Sequence, residues 1–514
     1  MGLSRQSKLI VFVAIVASLL EIIDVSIVNV ALPDMMGNLG ATLGEISMVV
    51  AGYAIANAIV LPASAWLGER FGRRRYFLGC ILIFTAASVA CGLAPNLILL
   101  VIFRIFQGLA GGALLPTSQT LIFEQFPVED AGIAAAIFGM SVSVGPALGP
   151  VLGGYLTDTF GWRAIFNINL PLGIMAFFVG LTCIFDREQK GSKREPGALD
   201  SIGLALLIAG IGCLQFLLER GQADDWFSST RIVICAIVSA ISIPVFVWWE
   251  WRAKHPIINI RLFKHSTVHN GVFLSGLLGF FLYGLVFILP VFLTRAFHYD
   301  ATQIGVLFIP GSLLTMAIMP FVGRMMRARV NPKILIFIGF FSLEICLLLI
   351  TQFSPMTSEW DMLIMLFVRG FALAFLFVPI NSSILSQFVS PEMGEVAGLL
   401  NFFRQVGGSM GIAFIATLMS SRMRQNYSNL ASHVSLLSMA GRSAYFQTKE
   451  MLASRMSRLV GWSAFNRATL EVLRFRVLNQ SFMLTFLQIM YVMMVIIALV
   501  FIPLYRLTYR KLNR

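Results

Sequence analysis

Charged side chains are scarce in this sequence. Of its 514 residues only 12% are Asp, Glu, Lys or Arg, whereas 58% are hydrophobic, and the mean hydropathy is +0.83. Soluble globular domains carry about 25% charged residues. The composition therefore predicts a membrane protein, although the length alone would fit several soluble domains.

The motifs of common enzyme classes are missing as well. No phosphate-binding GxxxxGK[ST] stretch occurs, which argues against direct use of ATP. The six cysteines form no CxxC pair and all lie in apolar stretches, so we expect neither a disulfide framework nor a metal site. No nucleophile–base pair stands out, and we predict no enzymatic activity and no cofactor.

Apolar runs of about 20 residues are abundant instead. Because only helices or closed barrels can cross the lipid core, continuous runs of this length predict membrane helices. The first run follows Arg5 and Lys8 as a signal peptide would, but it is too long for one and contains Glu21 and Asp24. The fourteen predicted spans are 9–33, 46–67, 77–94, 97–121, 131–155, 164–185, 199–218, 231–250, 268–293, 302–323, 333–352, 361–387, 395–418 and 481–505.

The net charge of +13 is distributed asymmetrically between the two sides of these spans. With an inner N-terminus, the inner segments hold 22 Lys and Arg residues and the short outer loops hold four. This positive-inside pattern predicts that both termini lie in the cytoplasm, and it argues against nucleic acid as a partner. One long outer segment, 419–480, holds nine more basic residues, but long loops escape the rule.

The chain also contains an internal repeat. Residues 104–132 and 369–398 share the order arginine, glycine, apolar helix, proline, "QF", acidic loop and "AG", and "WLGERFGRRR" (66–75) is echoed at 321–333. Chance similarity between apolar helices is the alternative. The repeat predicts an all-α fold with two six-helix bundles, residues 1–186 and 267–514, around a two-helix insert at 187–266.

Several ionisable residues lie inside the predicted spans. A charge at the bilayer centre costs about 2.5–3.5 kcal/mol or more, so each such residue is a functional candidate. Burial raises the pKa of a carboxyl group and a nearby arginine lowers it, and a carboxyl group between these effects can bind and release a proton. We predict proton coupling by Asp24, Glu21, Arg104 and Glu344, with static ion pairing as the alternative.

Other polar residues of the spans are assigned to the substrate cavity or to helix packing: Asn29, Gln107, Arg369, Asn401 and Arg404.

The loop after the second span predicts a conformational latch at the cytoplasmic face. Gly72 allows a tight turn, and Glu69 can pair with neighbouring arginines such as Arg70 and Arg73. Such a contact would favour one state of a two-state transporter. The alternative is that these arginines only set the topology.

The fifth span contains glycines and prolines at nearly four-residue spacing, namely Gly145, Pro146, Gly149, Pro150, Gly153 and Gly154. Small residues at this spacing allow helices to approach closely, and prolines are tolerated in membrane helices. We predict a bent, close-packed pivot at a repeat interface. Simple helix packing is the alternative.

These stretches resemble the major facilitator superfamily, and within it the fourteen-helix drug:proton antiporters of the EmrB type. "IIDVSIVNVALP" (22–33) resembles the first-helix signature, "RIFQGLAGG" (104–112) the helix-4 motif and "GPALGPVLGG" (145–154) the helix-5 antiporter motif, and "FNINLPLG" (166–173) fits as well. "WLGERFGRRR" matches the loop motif, with Ala65 where glycine is usual and Glu69 in place of aspartate. Glu344 has no counterpart in this pattern.

The resemblance gives the segment 419–480 an expected role. EmrB-type proteins work with a periplasmic adaptor and an outer-membrane channel, and the segment could dock the adaptor. Leu452, Met456, Leu459 and Val460 would line one helical face, with Arg455 and Arg458 beside it. Lying on the membrane surface is the alternative.

The sequence thus predicts an antiporter in which inward proton flow drives export of hydrophobic or amphipathic toxic compounds by alternating access. A nutrient importer is one alternative, and the helix-5 stripe argues against it. A non-transporting receptor or assembly subunit is another, and retention of the intramembrane carboxylates argues against that.

Overall fold

The computed structural model describes residues 3–185, 200–354, 356–390, 392–434, 439–455 and 462–506. Over these residues the regular structure is helical, without a strand. Fourteen of the described helical segments are long and apolar enough to cross a membrane. The predicted all-α fold with fourteen spans is therefore confirmed.

The first six spans pack together as one bundle. In chain order its helices are α1 (Arg5–Leu39), α2 (Leu43–Ile46), α3 (Met48–Phe71), α4 (Arg73–Gly92), α5 (Leu97–Phe123), α6 (Ala131–Phe160), α7 (Ala164–Asn167) and α8 (Asn169–Cys183). A 3-10 turn, Val128–Asp130, joins α5 to α6. We call the end of the molecule that holds Gly72 and this turn the inner end.

An insert of two helices separates this bundle from a second one. The insert contains α9 (Ser201–Arg220) and α10 (Thr230–Arg252), and the second bundle contains α11 (Ser266–Phe297), α12 (Ala301–Arg327), α13 (Pro332–Thr351), α14 (Glu359–Leu385), α15 (Glu392–His433), α16 (Met439–Arg455) and α17 (Trp462–Arg506).

Local capping explains why several spans begin where they do. The side chain of Asn96 accepts a hydrogen bond from the Leu99 amide at the start of α5. Asp300 and Gln303 form a capping box at the start of α12, and Pro332 occupies the first turn of α13. Gly72, with a φ of 83°, ends α3 and begins α4, so a left-handed residue makes the tight inner turn there.

The same pairs of helices pack in both bundles. In the first bundle α1 packs on α6, α3 on α5, and α4 on α5 and α8. In the second bundle the corresponding pairs are α11 on α15, α12 on α14, and α13 on α14 and α17. The repeated order of sequence landmarks thus corresponds to repeated packing.

The bundles meet through two matched helix pairs, α6 with α12 and α3 with α15. Along α6 and α12, Gly132 lies against Gly323 near the inner end, and Gly305 lies against Val151 farther out. At the other pair, a Cβ on Gly398 of α15 would lie 2.9 Å from the Leu61 carbonyl oxygen of α3. Glycines therefore allow close approach of the helices at both pairs.

The insert touches both bundles at its outer end. Gln215 of α9 donates a hydrogen bond of 2.6 Å to the Ser409 hydroxyl of α15, and Trp226 donates one of 3.0 Å to Thr417. On the other side, Arg220 donates to the Gly44 carbonyl at 2.7 Å. The helix α10 packs mainly on α9, and most of its apolar surface is exposed on the outside of the protein.

Three of the predicted spans differ markedly from the observed helices. The span at 164–185 is divided into α7 and α8 at Ile168. The helices α15 and α17 are longer than their apolar runs, with 42 and 45 residues. At 1.5 Å per residue they exceed the lipid core of about 30 Å by a factor of about two, so they continue beyond the membrane.

The described residues between 419 and 480 therefore form continuations of these two helices together with α16, which packs on α17. Asn426 of α15 donates to the Thr485 hydroxyl at 3.0 Å, and Tyr445 of α16 donates to the Asn466 side chain at 3.1 Å. The proposed face at 452–460 is described only as far as Leu452 and Arg455, because Met456, Arg458, Leu459 and Val460 lie outside the described residues.

Candidate functional site

Asp24 lies at the centre of the first bundle and is completely buried. Its Oδ2 accepts a hydrogen bond of 2.5 Å from Arg104 of α5. Its Oδ1 accepts from Gln107 at 2.8 Å and from Asn169 of α8 at 3.1 Å. Three donors from two other helices thus hold the carboxylate, as a buried charge requires.

Arg104 is itself fixed on every side. Its Nε donates to the Val49 carbonyl at 3.2 Å, and its Nη1 also donates to Gln107 at 2.8 Å. The guanidinium lies 4.2 Å from the centroid of the Tyr53 ring. A buried arginine with one carboxylate partner and an aromatic face forms a locally neutral, well-satisfied unit.

Glu21 is buried one turn before Asp24 but makes different contacts. Its Oε1 accepts from the Asn57 amide of α3 at 2.8 Å, and its Oε2 accepts from the Leu115 backbone amide of α5 at 3.1 Å. The guanidinium of Arg404, on α15 in the second bundle, interacts with it electrostatically. Glu21 therefore faces the interface between the bundles, whereas Asp24 is enclosed within one of them.

A chain of polar side chains crosses that interface. Arg404 donates to Asn401, Asn401 donates to Gln119 of α5 at 2.6 Å, and Gln119 donates to Asn381 of α14 at 2.8 Å. Arg404 also lies 5.2 Å from the Phe377 ring centroid, and its Nη1 has no hydrogen-bond partner among the described residues. The interface between the bundles thus contains a buried cation with spare donor capacity.

Arg369 and Glu344 are not part of either cluster. Arg369 is buried with its guanidinium 5.0 Å from the Phe308 ring centroid, and its Nε and Nη1 have no hydrogen-bond partner in the described part of the chain. Glu344 lies on α13, which packs on α14 and α17 and not on the helices around Asp24. The structure does not bring Glu344 to the other predicted coupling residues.

Asn29 is also outside the clusters. Its side chain is exposed and donates to the Val25 carbonyl of its own helix at 3.2 Å.

The predicted latch residues lie together at the inner end, and one of their arginines pairs with a residue outside the loop. Arg73 pairs with Glu124, which follows α5, at 2.6 Å, and Arg70 lies over the Trp66 ring. Glu69 is exposed. The loop after α3 is therefore held to α5 within the first bundle.

An ion pair that joins the two bundles at this end was not predicted. Arg327, at the end of α12, pairs with Asp130 at 3.1 Å. Arg327 belongs to the stretch that echoes the first latch loop, and Asp130 belongs to the acidic loop of the repeat. The repeat was therefore the sequence signal that could have identified this pair.

The glycine stripe of α6 packs mainly on α1 of the same bundle. A Cβ on Gly145 would meet Ile22, one on Gly149 would meet Ser26, and one on Gly153 would lie 3.1 Å from Ile27. Gly154 and Pro150 instead face Thr302 and Gly305 of α12. The side chain of Pro146 is not among those described.

The helix α6 is thus packed between α1 and the second bundle, and its backbone is one continuous helix through both prolines.

Other residues of the clusters were missed by the sequence analysis. Asn169 joins Asp24 to Ser88, and Gln119 and Asn381 join the bundles. Each is a single amide in an apolar run. For Gln119 and Asn381 the signal was their position two or three residues after the prolines of the repeat, Pro116 and Pro379.

The described residues contain no group of three or more His, Cys, Asp or Glu side chains arranged to hold a metal ion. All six cysteines are free thiols.

Two matched six-helix bundles with an enclosed Asp–Arg pair and a polar interface between them define a multi-pass membrane transporter. The model of the Major Facilitator Superfamily matches residues 14–412. The chain belongs to the Major Facilitator Superfamily.

Several known proteins are similar to it. The multidrug export protein EmrB of Haemophilus influenzae is 32% identical over 435 residues, which are 84% of this chain and 84% of that protein. EmrB of Escherichia coli K12 is 32% identical over 453 residues, 87% of each chain. The crystal structure of the human organic anion transporter MFSD10 has a TM-score of 0.60 at 16% identity, with 81% of this chain and 94% of that one covered, and supports the fold alone.

Proposed function

We propose that this protein exports hydrophobic or amphipathic toxic compounds across a bacterial inner membrane in exchange for protons. The names of the EmrB relatives support multidrug export, and 32% identity over most of both chains makes a shared activity the best explanation. The proton step rests on one observation. Asp24 and Glu21 are both buried and lie one turn apart in the first span.

The two carboxylates have different parts in this proposal. Asp24 is the coupling residue, and Arg104, Gln107 and Asn169 hold its ionised form. When the bundles rock, a change in these three donors would alter the balance between the ionised and the protonated carboxyl group. Glu21 interacts with Arg404 between the bundles. In this proposal, substrate and protons compete there for binding to these two charged side chains.

Polar contacts join the two bundles towards the inner end. Gln119 bonds to Asn381, Asn401 bonds to Gln119, and Asp130 pairs with Arg327. We infer that these contacts form and break as access alternates, with the loop containing Glu69, Arg70, Gly72 and Arg73 as the latch. The glycine stripe of α6, between α1 and α12, is the pivot.

The orientation and domain organisation belong to the same proposal. The excess of basic residues on one side supports cytoplasmic termini. Residues 1–186 and 267–514 are the moving halves, and 187–266 is the insert between them.

We further propose that the projecting segment 419–480 docks a periplasmic adaptor that leads to an outer-membrane channel. Its helices α15 and α17 continue beyond the membrane, which supports a docking role over one on the membrane surface. Co-purification of an adaptor with the full chain, but not with a variant lacking residues 439–455, is the test.

Transport by the purified protein in liposomes tests the central proposal. With an imposed pH gradient, wild type should export a fluorescent amphipathic cation or weak acid, and Asp24→Asn should reduce gradient-driven transport at least tenfold. The matched control is Asp34→Asn, the same change at an exposed position of the same helix. Wild-type transport by Asp24→Asn would refute the coupling role of Asp24.

A further inference from the structure

The helix α10 exposes more of its apolar stretch than any other span that the structure describes. A groove of about 570 Å³ runs along its inner half and is lined by Ile243, Pro244, Val247, Trp248, Trp251 and Arg252. Trp248 and Trp251 are 53% and 43% exposed. Tryptophan side chains are typical of the level at which a membrane meets water.

Basic side chains surround the inner end of this groove. The Arg252 guanidinium lies 4.3 Å from the Trp248 ring centroid, and the Lys264 ammonium lies 4.9 Å from that of Trp251. Arg261 donates to the Trp251 carbonyl at 3.1 Å, so the segment after α10 folds back on the end of the helix. Lys254 adds a fourth, exposed positive charge.

The nearby carboxylates are turned away from the groove. Glu250 is completely buried and accepts a hydrogen bond from the Ile258 amide. Asp200 caps the start of α9 and accepts from the Trp249 indole at 2.9 Å. Residues 251–266 contain no Asp or Glu. The exposed surface at the inner end of the groove is therefore strongly positive.

We propose that this groove binds an anionic phospholipid, with an acyl chain along Ile243 to Trp251 and the phosphate between Arg252 and Lys264. Eight residues of helix span about 12 Å, enough for roughly half of an acyl chain. Basic pockets beside membrane helices are suited to anionic headgroups. A soluble protein partner does not fit, because the groove continues into the exposed apolar residues Ile241 and Val245.

The test is a lipid titration of the detergent-purified full chain, followed by native mass spectrometry. Phosphatidylglycerol should bind more tightly than phosphatidylcholine. Each basic residue near an anionic lipid surface contributes about a fivefold change, so Arg252→Ala/Lys264→Ala should weaken phosphatidylglycerol binding about thirtyfold. The control Arg5→Ala/Lys8→Ala removes two exposed charges from the same end of the molecule and should leave binding unchanged.

Two further measurements separate a lipid from a free anion. Filling the groove with Val247→Trp should weaken phosphatidylglycerol binding while the headgroup charges remain, and inorganic phosphate should not compete. Equal binding of the two lipids, unchanged binding in Arg252→Ala/Lys264→Ala, or competition by millimolar phosphate would overturn the proposal. The single variant Lys264→Gln, at an exposed position, gives the same comparison if the double variant does not fold. None of these outcomes depends on transport.

Discussion

At the scale of single residues, the sequence identified the charged members of the Asp24 cluster and Gln107, but not Asn169. A charge in an apolar run is conspicuous because burying it is costly, so Asp24, Glu21 and Arg104 were visible without a structure. An amide such as Asn169 is far less conspicuous. Its hydrogen bond to Asp24 depends on how α8 packs on α1, 145 residues away in sequence.

Asn169 gives a prediction at this scale. Asn169→Leu keeps the size of the side chain but removes one of the three donors to Asp24. Because a hydrogen bond to a charged group contributes about 1.5–3 kcal/mol, we expect proton-driven efflux to fall by about tenfold or more while the protein still folds. Transport in liposomes and the thermal midpoint in detergent measure the two effects.

The control for this prediction is Asn38→Leu on α1. The Asn38 side chain is exposed and donates only to the Asp34 carbonyl of its own helix. Efflux by Asn38→Leu should match wild type. Equal efflux by Asn169→Leu and wild type would show that Asn169 does not support Asp24.

At the scale of helices, hydropathy located every described span because continuous apolar runs are long and unambiguous. It did not locate the outer ends of α15 and α17, because these continuations are polar and lose the hydropathy signal although the helix persists. It also did not indicate the division between α7 and α8, because Ile168 keeps helical dihedral angles and lies between Asn167 and Asn169 inside one apolar run. Hydropathy therefore indicates which residues lie in the lipid, whereas the residue at which a helix ends depends on how its backbone packs.

The glycine stripe of α6 was predicted as a pivot at a repeat interface, and its closest contacts in the structure are with α1 of the same bundle. The spacing of the glycines shows which face of α6 lacks side chains, but it does not show which helix packs against that face. The structure places α1 there.

A substitution in the stripe tests the close contact. In Gly149→Ala the new methyl group would overlap the Ser26 side chain and lie 3.0 Å from the Ser26 carbonyl carbon, so α1 and α6 must separate. Overpacking of this kind costs about 1–3 kcal/mol. We expect a lower thermal midpoint and slower efflux. Gly79→Ala on α4 has nothing within 4 Å of the new methyl group and should be neutral or slightly stabilising. An equal midpoint for both variants would contradict the close packing.

At the scale of the whole molecule, the order of polar landmarks in the sequence predicted two matched bundles, and the same helix pairs pack in each. The repeat marks equivalent positions in the two halves, but it does not tell which residues of one half meet which residues of the other. Gln119 and Asn401 are 282 residues apart. Their contact depends on how the two bundles are arranged in this structure.

The ion pair between Asp130 and Arg327 gives a prediction about that arrangement. Their side chains are 19% and 58% exposed, and ion pairs of this exposure contribute at most about 1 kcal/mol. Asp130→Asn should therefore shift the balance towards an open inner end by up to about fivefold, without unfolding the protein.

Spin labels at Arg75 and Arg324, both exposed at the inner end of different bundles, measure this shift as a change in their distance distribution. The background must lack the six native cysteines. The reversed pair Asp130→Arg/Arg327→Asp should restore the wild-type distribution, because the attraction is the same in either direction. An unchanged distribution in Asp130→Asn would mean that the pair does not help to close the inner end, and that the hydrogen bonds of Gln119 with Asn381 and Asn401 suffice.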